Sequence, residues 1–264
     1  MNVSAFGKLI IDYHEKHGRH DLPWRKTKDP YKILVSEMML QQTQVSRVIP
    51  KYKSWMKRFP SMRALAKASV RDVLMEWQGL GYNRRALYLK KTAEEGLLPV
   101  DFHELQKLPG IGQSTAGAIM AFAYDVPVVF IETNIRSVFI HHFFPKSRKV
   151  SDKKILPIIE KTLDRKNPRK WYYALMDYGV FLKSTHPNPS RKSRHHAKQT
   201  PFKGSTRELR ANILRKIISK ARTEKDICAA LPDISAARIR KAVEGLERDG
   251  FLKRLRGNVL KIRT

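Results

Sequence analysis

The chain has 264 residues, is 42% hydrophobic and 29% charged, and sets 53 Lys and Arg against 24 Asp and Glu, a net charge of +29. Ordinary apolar content excludes a disordered tail. The lack of an apolar run of spanning length excludes a transmembrane helix. The single cysteine, Cys228, excludes an intramolecular disulfide and a cysteine-rich metal site.

In chain order the pattern is overwhelmingly helical. "AFGKLIIDY" sets Phe6, Leu9, Ile10 and Tyr13 on one face. "DPYKILVSEMMLQQTQV" opens on Asp29-Pro30, a helix-start signal. "ASVRDVLMEWQGL" has Ser69 as cap and a stop near Gly79. "LPGIGQSTAGAI", residues 108–119, is a glycine-punctuated turn followed by a buried helix of small residues. "VPVVFIETNIRSVFIHHFF" starts extended and turns helical near Thr133, and "WYYALMDYGVFL" is a further helix. Residues 183–205 are polar, basic and rich in Pro, Ser and His, and read as a linker or loop. Three helical patterns and two short extended runs around Gly257-Asn258 follow, the order of a winged helix. Cys228 sits in the apolar pattern "DICAAL" and is expected to be a buried thiol.

Length and pattern together predict an all-α protein of more than one domain: 1–182, a basic linker 183–205, and a winged-helix-like domain 206–264. Residues 181–264 alone hold 22 Lys and Arg against 7 Asp and Glu. A positive surplus on both halves calls for a polyanion. Nucleic acid is favoured over an anionic membrane, because no basic amphipathic anchor with aromatic residues stands out. A solvated basic surface is the bland alternative. With no signal-peptide pattern, the expected location is intracellular.

Three stretches hold candidate chemistry. On a helix Glu37 neighbours Ile33, Leu34 and Leu40. A carboxylate on an apolar face keeps its proton unless paired, which suits a general acid or base. A boundary Glu reaching solvent fits the position equally well. Glu132 ends an apolar run where a helix starts, a place that favours the ionised form. It is a catalytic partner for Glu37 or an ordinary N-terminal helix charge. Two carboxylates in contrasting environments can divide acid and base labour. "GLGYNRRALYL" flanks Leu80 with Gly79 and Gly81, then adds Tyr82, Arg84 and Arg85. An aromatic beside cations suits insertion into a base stack with phosphates held nearby, and helix termination is the structural alternative. In "LPGIGQ" the glycines serve a plain connector or a backbone that approaches an anion at a helix N-terminus.

"LPWRKTKDPYKILVSEMMLQQTQV", "WQGLGYNRRALYL", "LPGIGQSTAGAI" and "ETNIRSV" occur in this order. With them the chain, over about residues 4–180, resembles the MutY-type adenine DNA glycosylases of the helix-hairpin-helix (endonuclease III) superfamily. The resemblance implies a two-lobed helix-hairpin-helix fold and a monofunctional glycosylase that excises adenine mispaired with 8-oxoguanine or guanine. It implies that Glu37 protonates adenine, that Glu132 with Asn134 faces the sugar cation, and that Arg25 lies near the target base. Leu40, Gln42, Thr43, Leu80 and Tyr82 fall on the DNA side, the last four probing or wedging the opposite base. Leu108, Gly110 and Gly112 form the phosphate-binding hairpin. Ser114 stands where bifunctional relatives carry a lysine nucleophile, which argues against lyase chemistry.

Three departures accompany the resemblance. The four-cysteine iron–sulfur motif is replaced by "PSRKSRHHAKQ", so no cofactor is expected. His186, His195 and His196 lack a Cys or carboxylate to complete a zinc site, and no metal is expected. The second carboxylate is Glu132 where the family usually has Asp. A winged helix stands in place of the usual C-terminal domain. The expected partner is double-stranded DNA bearing A:8-oxoguanine or A:G mismatches, engaged by a monomer in the cytoplasm or nucleoid. A thymine or uracil glycosylase at G mismatches and a non-catalytic DNA-binding regulator are the rival readings.

Overall fold

The computed structural model describes residues 2–263. Its helices are α1 (Val3–His17), α2 (Pro30–Leu40), α3 (Val45–Arg58), α4 (Met62–Lys67), α5 (Val70–Trp77), α6 (Arg84–Glu94), α7 (Phe102–Lys107), α8 (Gln113–Ala123), α9 (Thr133–Phe143), α10 (Asp152–Thr162) and α11 (Pro168–Thr185). After these come α12 (Thr206–Ser219), β1 (Arg222–Thr223), α13 (Glu224–Ala229), α14 (Ala236–Arg248), β2 (Leu252–Arg254) and β3 (Val259–Ile262). Local chemistry sets many of the starts. Asn2, Ser61, Ser69, Asp101, Ser205 and Thr223 each cap the helix that follows with a side-chain oxygen.

The chain divides into two compact units that do not follow its linear order. One comprises Met1–Glu37 with Leu98–Lys198, the other Met38–Leu97 with Gln199–Thr264. The division falls inside α2.

In the first unit α11 is the central element, with α1 and α9 packed on it. Phe6 of α1 meets Phe139, Phe143 and Trp171 ring to ring, and Phe122 stacks on Tyr173 at 4.1 Å. Two glycines set close approaches. A Cβ on Gly117 would lie 2.4 Å from the Phe130 ring, and one on Gly179 would lie 2.5 Å from the Asn134 carbonyl oxygen. Small residues are therefore required where α8 meets Phe130 and where α11 meets the start of α9. The His- and Pro-rich stretch after α11, read from sequence as a linker, is anchored. Pro189, Ser190 and Ser193 are buried, Val150 N donates to Lys192 O at 2.8 Å, and Arg194 N donates to Val150 O at 2.9 Å.

The second unit joins α3–α6 to the winged helix. Trp55, Phe59 and Trp77 form an aromatic cluster. The winged helix is built on Ile213, Ile217, Ile239, Leu246 and Leu260, all buried. Its three strands run antiparallel in the order β1-β3-β2, with Leu252 opposite Ile262. The wing turns at Gly257 (φ 73°) and Asn258 (φ 59°). β1 is a two-residue strand that the helical reading of "TEKDICAAL" passed over, since only pairing with β3 defines it. Arg71 Nε donates to the Ile218 carbonyl at 2.9 Å, and Asp249 pairs with both Arg84 and Arg210. These bonds tie the winged helix to α5 and α6.

Candidate active site

Glu37 lies in the last third of α2, among Ile33, Leu34 and Met38, each about 1% exposed. The side chain keeps part of its surface open, but its carboxyl is enclosed by protein. Burial pushes its pKa up to about 8, the charge of Glu132 adds to the rise, and Arg25 opposes it. The carboxyl group is therefore neutral at pH 7. Of the two readings open in the sequence, the buried, protonated one holds.

Glu132 is the N-cap of α9. Its Oε1 accepts from the amides of Asn134 (2.7 Å) and Ile135 (2.8 Å), and its Oε2 accepts from Asn134 Nδ2 at 3.1 Å. Capping fixes the carboxylate at the positive end of a helix. Asn134 Oδ1 is buried and has no hydrogen-bond partner within the protein.

Arg25 follows the turn at Pro23–Lys26 and is nearly buried. Its two terminal nitrogens bond Asp177 in bidentate fashion at 2.7 and 2.9 Å, and its guanidinium lies 4.4 Å from the Tyr173 ring centre. Its Nε is a second buried polar atom without a partner. Asp177, 3% exposed, also accepts from Arg19 Nε at 2.6 Å and lies 2.9 Å from His14 Nδ1. Burial alone would raise its pKa, but bonds from His14, Arg25 and Arg19 hold it well below the usual carboxylate range. Sequence reasoning missed Asp177 and His14, whose only signal was a polar residue on an otherwise apolar helix face. Lys183 was missed too. It lies one turn beyond Gly179 on α11, where burial lowers its pKa, Glu132 opposes that fall and Arg19 adds to it.

The glycine-punctuated stretch forms a helix-hairpin-helix. Leu108 closes α7, Ile111 N donates to Leu108 O at 3.2 Å, and Gly110 takes φ +76°, a conformation glycine adopts without strain. Gly112 is the N-cap of α8 and provides no side chain to the first-turn amides. Gly110, Gly112 and Gln113 are exposed, and Ser114 is the second residue of α8.

The remaining predicted residues gather in the second unit. Leu40 ends α2, and Gln42 follows at φ 58°, so the helix read through "LQQTQV" stops there. Thr43 Oγ1 donates to the Leu80 carbonyl at 3.2 Å. Leu80 is only 3% exposed, whereas Tyr82 is 40% exposed at φ 46°. Tyr82 therefore presents the surface at this turn, while Leu80 anchors it.

Arg85, read from sequence as a cation for phosphate, is 6% exposed. Its terminal nitrogens donate to the carbonyls of Met38, Met39, Gln41, Leu80 and Gly81, and burial lowers its pKa to about 10. It ties the end of α2 to the glycine turn. Cys228 is only partly covered, because α13 is a two-turn helix at the surface of the winged helix. Among the described residues there is no group of three or more His, Cys, Asp or Glu that could hold a metal ion, and no helix long and apolar enough to cross a membrane.

A helix-hairpin-helix before a capped carboxylate, with a buried protonated acid in the same unit, defines a class, and comparison with known proteins agrees. Residues 35–164 match the HhH-GPD superfamily base excision DNA repair protein family, and the chain belongs to that superfamily. Among its curated relatives, the adenine DNA glycosylase of Buchnera aphidicola subsp. Baizongia pistaciae is 38% identical over 192 residues, covering 69% of this chain and 54% of the relative. That of Mycolicibacterium smegmatis is 45% identical over 129 residues, 46% of this chain and 44% of the relative. The chain thus spans about half the length of the curated relatives it matches. A solved thermostable thymine-DNA glycosylase shares the fold at TM-score 0.61 and 22% identity, over 71% of this chain and 90% of that one.

Proposed function

We propose that the protein is a monofunctional adenine DNA glycosylase acting on adenine mispaired with 8-oxoguanine or guanine in double-stranded DNA. The observation that carries this reading is Glu37: a carboxyl enclosed by protein, neutral at pH 7, with the capped carboxylate of Glu132 close enough to raise its pKa. N-glycosidic cleavage needs that pair. As the C1′–N9 bond breaks, its electrons go to the purine, which leaves as a neutral base once Glu37 has protonated a ring nitrogen. The sugar is left with cationic character, which a preorganised carboxylate stabilises. Water adds to C1′, and its proton passes to the ionised Glu37, restoring the acid.

Glu132 suits the anionic role because three N–H groups hold it. Arg25 Nε and Asn134 Oδ1, buried without partners, are a donor and an acceptor of the kind a bound base and sugar would satisfy. The exposed hairpin Leu108–Gly112 offers amides to a phosphate. Ser114 carries no amine, so no imine forms on it. The iron–sulfur cluster implied by the superfamily needs four cysteine ligands. The one thiol in this chain does not fit it, and no step is routed through it.

The test is single-turnover release of adenine from duplexes with A opposite 8-oxoguanine, G, C or T, beside G:T and G:U duplexes. Release of adenine only is expected. Release of thymine or uracil in its place overturns the assignment in favour of the G-mismatch enzyme.

A further inference from the structure

The turn carrying Tyr82 has a partner that the superfamily match, ending at residue 164, does not include. Gln199 Nε2 donates to Gln42 Oε1 and to Tyr82 Oη, each at 2.6 Å. Arg207, on α12, donates to Tyr82 Oη at 2.7 Å and lies 5.4 Å from the ring centre, while Arg85 lies 5.5 Å from the same ring. Tyr82 is thus held by two guanidiniums and an amide while 40% of it stays exposed.

These residues line a cavity of about 910 Å³ in the second unit, together with Phe202 and Arg210. Its lining includes six arginines against one carboxylate, Asp249, which itself pairs with Arg84 and Arg210. Such a surplus suits a polyanion. Exposed Tyr82 and Phe202, 40% and 53% accessible, offer stacking faces to a base. Gln42 and Tyr82 both hold left-handed backbone, the strain expected where a side chain is re-aimed for a task.

We infer that Gln199 and Arg207 complete a nucleobase-reading site in this cavity, which takes the purine opposite the excised base. The bonds within the cluster use the Gln199 amide hydrogens and the Gln42 carbonyl. They do not use the Gln42 amide hydrogens or the Gln199 carbonyl. A donor and an acceptor are thereby paired, and that pairing meets the acceptor and donor of a guanine-type edge better than the edge of a pyrimidine. Arg207 is a positioning residue, acting on the base through Tyr82. The inference rests on the proposed glycosylase reading and adds to it a source of opposite-base selectivity on the C-terminal segment.

The experiment compares adenine release from A:G, A:8-oxoguanine and A:C duplexes by wild type, Gln199→Ala, Gln199→Glu and Arg207→Met. The readout is the ratio of purine-opposite to cytosine-opposite rates. Because it is taken within one protein preparation, loss of folded fraction cancels. Each variant is expected to lower that ratio about ten-fold, the usual scale for removing one hydrogen-bonded base reader. If wild type releases adenine and the variants keep its ratio, the inference falls and the glycosylase assignment stands. If wild type releases no adenine from any duplex, both fall.

Discussion

At the residue scale the two carboxylates do opposite things with their protons. Glu37 is held neutral by burial and by the charge of Glu132, so the competent acid exists below its pKa of about 8. Single-turnover adenine release should fall as pH rises through about 8, and Glu37→Gln should abolish it while mismatch binding persists. The carboxyl carries a stability cost as well. It ionises near 4.5 when unfolded and near 8 when folded, so the folded state binds the extra proton between those values and stability falls as pH rises across them. Glu37→Gln should therefore be the more stable protein above pH 8, by ~3 kcal/mol, and equal to wild type near pH 4, as measured by denaturant unfolding at both pH values.

Asp177 has the reverse sign. Its depressed pKa gives stability that is present above about 3.8 and is lost as pH falls toward the folded value. Asp177→Asn leaves Arg25, Arg19 and His14 around an uncharged amide and should cost ~3–5 kcal/mol at pH 7. The rate of adenine release should fall as well, because Arg25 loses its bidentate anchor.

At the scale of elements, function depends on where helices begin. α9 starts under Glu132, and Gly179 of α11 lies against the Asn134 carbonyl with no room for a Cβ. Gly179→Ala must move the first turn of α9. Misplacement by about 1 Å costs on the order of 10²-fold in rate, and a loss of at least ten-fold in single-turnover release is expected here, with a small change in melting temperature. At the hairpin, Gly110→Ala imposes φ +76° on a residue with a Cβ, at ~1–2 kcal/mol. DNA affinity should weaken, and its salt dependence should flatten by roughly 0.9 for each phosphate that the hairpin no longer neutralises.

How far these parts could be read in the sequence differs, for physical reasons. The apolar neighbours of Glu37 at helical spacing announced a buried acid. Glycines at 110 and 112 announced the hairpin, and Glu132 before Thr133 announced a cap. Periodicity carries no information on partners distant in the chain. The burial of Arg85 depends on carbonyls at the end of α2, and the clamp on Tyr82 depends on residues 199 and 207. The tight fit of Gly179 depends on a backbone 45 positions earlier. Each joins segments whose local patterns give no sign of the other.

At the scale of the whole molecule, each compact unit is made of two separated lengths of chain. α1 meets its packing partners only in α11: Phe6 against Trp171, Tyr13 against Tyr178, His14 against Asp177. Synthesis proceeds at about 5–20 residues per second, so the apolar face of α1 waits roughly 10–30 s before its cover leaves the ribosome. The segment Met38–Leu97 waits for residues beyond 199 in the same way. Nascent chains arrested before residue 168 should accordingly be protease-sensitive along their whole length, with no resistant N-terminal fragment. The discontinuity that builds each unit makes the newborn chain a long-lived client for chaperones.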